Sequence, residues 1–89
     1  MVEYRKLRTP SGHDCEVREV LVPGASGRRW HVKIAGRSFF LWADRHLAAA
    51  ASEERIWQGV LNGVDDELAQ DRTMMTNDYE APLLPQNFE

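Results

Sequence analysis

The run His13-Asp14-Cys15 holds the residue types of a cysteine nucleophile, a base and an orienting carboxylate. That chemistry needs the thiol within hydrogen-bond reach of the base, in surroundings that favour the thiolate. On a strand His13 and Cys15 share a side while Asp14 points to the other, so adjacency in sequence does not assemble the three. A turn histidine beside a small buried cysteine is the simpler reading. Zinc needs three or four ligands, and Cys15, His13, His31 and His46 have neither CxxC nor HxxxH spacing. No metal and no other cofactor is expected.

The acid groups Glu53-Glu54 and Asp65-Asp66-Glu67 invite an acid–base role. Neighbouring helical residues diverge by about 100°, however, and no apolar pocket signature accompanies them, so they read as solvated helix surface. The glycines at 24, 27, 36, 59 and 63 form neither a phosphate-binding loop nor a dinucleotide fingerprint, and no serine-centred nucleophile elbow is present. A non-enzymatic protein is expected.

Two surfaces remain for binding. Arg29, His31 and Lys33 fall on one side of a strand, with Phe40 and Trp42 on its neighbour. Sheets that bind single-stranded nucleic acid use this mixture, aromatic rings stacking on bases and cations meeting phosphates. The second surface is acidic: Glu53, Glu54, Asp65, Asp66, Glu67 and Asp71 cluster in the helical half and suit a basic protein partner.

Charge divides the chain in the same way. Residues 1–46 carry nine Lys/Arg against five acids, and residues 47–89 carry two against nine, which together give the net −3. A basic sheet half and an acidic helical half follow, either attracting each other across the fold or offering one half for docking. The overall acidity and the absence of an RNP-type motif count against a dedicated nucleic-acid module.

The element that positions the first surface is the stretch Trp30 to Trp42, which reads as a β-hairpin turning at Ala35-Gly36-Arg37. If Ala35-Gly36 form the turn, Val32 faces Phe39 and Trp30 faces Leu41. If Gly36-Arg37 do, Ile34 faces Phe39 and Val32 faces Leu41. Both registers place Trp30, Val32, Ile34, Phe39 and Leu41 on a core face, and His31, Lys33, Phe40 and Trp42 on the other. Thr9 to Asp14 is a turn cluster, Cys15 to Val22 a strand whose parity shift at Arg18-Glu19 suggests a bulge, and residues 2–8 a candidate edge strand.

Helix is expected from about residue 44 to 62, with Asp44 as N-cap and Ser52-Glu53-Glu54 either starting a second helix after a break or lying inside one long helix, then a kink at Asn62-Gly63 and a short helix to about 71. The stripe Trp57, Val60, Leu61, Val64, Leu68 has the spacing of a sheet-facing side. Residues 73–89 contain two prolines and no period, and read as an irregular tail; Leu83, Leu84 and Phe88 are candidates to cover Phe40 and Trp42.

The fold class is therefore α+β: a three- to four-stranded antiparallel meander with one main helix, and a short second one, across one face. Residues 1–72 form a single domain and 73–89 a tail packed on that domain or on a partner. At 89 residues the chain holds one modest core. The lone cysteine, the charged N-terminus and the lack of a long apolar run point to a cytoplasmic protein without a membrane partner. The expected function is a protein-binding module, a small inhibitor or adaptor of the kind phages and mobile elements encode, docking its acidic helical face on a basic or nucleic-acid-handling protein. The alternative is a single-stranded nucleic-acid binder using Arg29, His31, Lys33, Phe40 and Trp42. A twofold partner over the same aromatics would make the protein a homodimer.

Overall fold

The computed structural model describes residues 3–24, 26–70 and 79–88. Five strands form one sheet in chain order: β1 Arg5–Arg8, β2 Asp14–Val20, β3 Arg28–Ile34, β4 Arg37–Ala43 and β5 Tyr79–Pro82. The first four pair antiparallel as a meander, and β5 joins β4 in parallel. A parallel neighbour requires a crossover, and the two helices between β4 and β5 supply it.

At the β3–β4 turn Ala35 (φ 52°) and Gly36 (φ 77°) both occupy the left-handed region. A two-residue hairpin loop matched to strand twist demands this. The turn selects one of the two registers: Val32 lies opposite Phe39 and Trp30 opposite Leu41. Trp30, Val32 and Phe39 are fully buried, Leu41 and Ile34 nearly so. The β2–β3 pairing runs without interruption from Glu16↔Lys33 to Val20↔Arg29, so there is no bulge at Arg18-Glu19. The parity shift has another cause. Cys15 and Val17 are core residues, whereas Val20 belongs to the opposite face and Leu21 is exposed beyond the strand end.

The helix breaks before Ser52, the first of the two alternatives the sequence leaves there, and not at Asn62-Gly63. Helix α1 is short, Arg45–Ala50, and capped by the Asp44 side chain, which accepts the Leu47 N–H at 2.8 Å. Ser52 then caps α2, Glu53–Ala69, accepting the Arg55 N–H, and Glu53 and Glu54 lie in its first turn, where the helix dipole favours carboxylates. Helix α2 passes through Asn62-Gly63 without a kink. Gly63 has a packing role instead. A Cβ there would sit 2.7 Å from Leu83 and 3.4 Å from Leu41, and one at Gly59 would sit 3.1 Å from the Phe88 ring. The two glycines, one turn apart, form a groove that receives the end of the chain. The buried stripe is accordingly Ile56, Gly59, Val60, Gly63, Val64 and Glu67, with Trp57, Leu61 and Leu68 half-buried at its margins.

The end of the chain is more regular than its prolines imply. Residues 79–82 form β5, the Leu83 N–H donates to the Trp42 carbonyl at 2.7 Å, and a 3₁₀ turn, Pro85–Phe88, closes the chain. Strand parity sends Ala81 and Leu83 to the helix side and Glu80 and Pro82 to the other. Leu83 and Phe88 are thus buried against α2, while Leu84 stays exposed. Among the described residues no helix is long and apolar enough to cross a membrane.

Candidate functional site

Helices and chain end cover one side of the sheet only. The other side shows the alternate residues of every strand. Pairing registers align Arg18, His31, Phe40 and Glu80 across β2 to β5, with Val20, Arg29, Trp42 and Pro82 in the next row and Lys6, Glu16, Lys33 and Ser38 in the row beyond. Residues 79–88 of the tail, the part described, do not cover Phe40 and Trp42. Trp42 is 38% exposed and has no ring or cation partner among the described residues.

Rings and cations interleave on this face. Tyr4 lies beside His31, its hydroxyl 2.6 Å from Nδ1, and the two rings meet edge to face. His31 in turn packs on Phe40 at 4.7 Å between ring centroids. Arg18 and Lys33 both lie over the Tyr4 ring, at 4.9 and 4.2 Å, and Arg29 lies 5.5 Å from the Phe40 centroid while pairing with Glu80. A cation over an aromatic face keeps its charge available and loses part of its rotamer freedom. The face is therefore a row of preset rings with cations standing among them. Lys6, Arg8, Arg18, Arg29 and Lys33 oppose Asp14, Glu16 and Glu80 on it, so it is locally basic in an acidic protein. Beside Trp42 a shallow cleft of about 130 Å³ is lined by Val20, Val22, Arg28 and Arg29. Tyr4 precedes β1, and the imperfect alternation of the candidate strand over residues 2–8 does not assign it a face; its two-residue offset from Lys6 is the signal that it shares this one.

The residues of the acidic surface are dispersed among different tasks. Arg28 bridges Glu19 at 2.6 Å and Glu53 at 2.8 Å, and Glu53 also accepts the Trp57 indole N–H. Hydrogen bonding to Arg28 lowers the Glu53 carboxyl to about 2, and bonding to Glu53 and Glu19 raises Arg28. Asp65 accepts the Ser11 backbone N–H at 2.9 Å, tying the β1–β2 turn to α2, and its other oxygen is buried. Glu67 is buried and accepts the Tyr79 hydroxyl at 3.0 Å. Only Glu54 and Asp66 are fully exposed and make no ion pair among the described residues. Asp71 lies outside the described residues.

Cys15 is a free, buried thiol whose pKa is raised by burial, with Asp65 and Asp14 adding to the effect. A neutral thiol in that setting is a poor nucleophile. His13 is exposed in the turn and His46 is exposed on α1. Among the described residues no group of three His, Cys, Asp or Glu side chains is placed to hold a metal ion. Comparison with protein-family models, with curated proteins and with solved structures gave no match.

Proposed function

We propose that this protein is a non-enzymatic binding module whose working surface is the open face of the sheet, and that its ligand is single-stranded nucleic acid. The observation that carries the reading is that among the described residues Trp42 is exposed and Phe40 half-exposed while Arg29, Lys33 and Arg18 stand among the rings of the same face. Bases stacking on Trp42 and Phe40 would leave their phosphates within reach of these cations, an arrangement tolerant of sequence. The acids of α2 lie on the helix side, which keeps their repulsion away from a strand bound on the open face. In a titration of a labelled oligothymidylate followed by anisotropy, binding weakens as salt rises. Trp42→Ala costs about 1–3 kcal/mol of affinity, as loss of one stacked base does. Lys33→Ala lowers the steepness of the salt dependence. No binding at low salt would end this reading.

A protein partner on α2 is the second reading, favoured by the exposed carboxylates Glu54 and Asp66, which make no ion pair among the described residues. Loss of a captured partner on joint reversal of Glu54 and Asp66 to lysine would support it, and retention would remove it.

A further inference from the structure

The sheet is forked at one end. Pairing of β1 with β2 continues to Arg8↔Asp14, and pairing of β3 with β4 to Ile34↔Arg37, but β2 and β3 pair only from Glu16↔Lys33 onward. Asp14-Cys15 on one prong and Ile34-Ala35 on the other lie outside the β2–β3 ladder. Between the prongs opens a cleft of about 820 Å³. That size falls within the roughly 300–1,000 Å³ of small-molecule sites.

Its lining has two parts. The side chains of Leu7, Cys15 and Ile34 are aliphatic or thiol, half-buried to buried, and no aromatic ring is among the described residues of the wall. Lys6, Arg8, Lys33 and Arg37 supply positive charge against Asp14 and Glu16. Arg8 is paired with Asp14 at 3.0 Å. Glu16 stands opposite Lys6 on one neighbour and Lys33 on the other, two cations to one carboxylate in that row. Arg37 makes no ion pair among the described residues. Burial keeps Cys15 neutral, so the floor adds no negative charge. Without a ring to stack on, a nucleobase gains little here, whereas an alkyl chain does.

We propose that the fork between β2 and β3 binds an anion with an aliphatic body, a medium-chain carboxylate in its simplest form, with the head among Lys6, Lys33 and Arg37 and the chain on Leu7, Cys15 and Ile34. The proposal shares Lys33 with the nucleic-acid reading, but Arg37 has the inward parity of Phe39 and lies off the open face, so a test at Arg37 fails or succeeds separately from that reading.

The test titrates decanoate into the full-length protein, with decan-1-ol as the uncharged control, followed by amide chemical shifts. The expected result is saturable shifts at residues 6–8, 14–16 and 33–38, with decanoate bound up to about fivefold more tightly than the alcohol, the scale of one half-exposed charge contact. Arg37→Glu removes that preference and leaves decanol binding unchanged. Decanoate also slows labelling of Cys15 by a thiol reagent. Equal affinity for acid and alcohol, shifts centred on Trp42 in place of the fork, or no saturation below the micelle concentration would each overturn the proposal. If Arg37→Glu does not fold, Lys6→Glu on the opposite prong serves as the second variant.

Discussion

Phe39 and Phe40 are adjacent on β4, yet they inhabit different worlds. Phe39 is fully buried, stacked on Tyr79 at 5.4 Å and packed among Val32 and the α2 stripe. Phe40 is half-exposed and touches a histidine and an arginine. Trp30 and Trp42 repeat the contrast: the first is inaccessible and meets Trp57 edge to face, the second is 38% exposed with no ring partner among the described residues. The inner face is closed by two helices and the end of the chain. The outer face keeps its rings beside cations, where stacking on a ligand is still open to them. Burial holds the fold together on one side of the sheet, and exposure leaves a surface for binding on the other.

Truncating the paired phenylalanines probes that contrast most strongly. Phe39→Ala is expected to cost about 3–5 kcal/mol of stability through loss of buried surface and a cavity. Phe40→Ala is expected to cost about 1 kcal/mol or less, the scale of one exposed ring contact. Equal losses in denaturant titrations would show that the outer face is also core.

Next in size is the glycine groove. Gly63→Leu overpacks the space taken by Leu83 and should destabilise by about 1–3 kcal/mol. A melting temperature unchanged by Gly63→Leu would show that the chain end contributes little to closing the inner face.

The Arg28–Glu53 bridge links the basic and acidic halves. Because its folded pKa lies below that of an ordinary carboxylate, Glu53 stabilises fully above about pH 4.3, its unfolded value. That contribution is lost as pH falls toward about 2. Its side chain is 64% exposed. The effect is therefore at most about 1 kcal/mol, further weakened by salt. Thermal melts of Glu53→Gln across that acid range should fall less steeply than those of the native chain.

The smallest effect is expected at the turn between the two faces. Ala35 holds a left-handed φ that favours Gly or Asn. Ala35→Asn should stabilise by roughly 0.5–1 kcal/mol without changing the register, because Asn-Gly suits this turn. A changed pattern of amide shifts along β3 and β4 would argue that Ala35 sets more than local geometry.

Much of the hairpin was legible in the sequence, because period-two alternation is a local signal that survives either turn register. Trp30, Val32, Ile34, Phe39 and Leu41 were placed correctly for that reason. The outer set Arg29, His31, Lys33, Phe40 and Trp42 followed from the same parity, although its exposure did not. Tyr4 was missed because the candidate strand over residues 2–8 has imperfect alternation and gives it no face, and the acidic set looked like one surface because charge counts ignore partners. Glu53 and Glu67 are taken up by Arg28 and Tyr79, residues 25 and 12 positions away.

Local chemistry by itself determined the turns, the caps at Asp44 and Ser52, and the two-faced hairpin, since each depends on residues within a few positions. Only tertiary structure decided the rest. Asn62-Gly63 resembles a helix end until Leu83 is seen filling the space a side chain would occupy. Pro82 and Pro85 suggest an irregular tail until β4 offers an edge for residues 79–82 to pair with. The open face exists because the parity of β5 carries Leu83 inward to the helix, a choice fixed by distant contacts that no local pattern encodes.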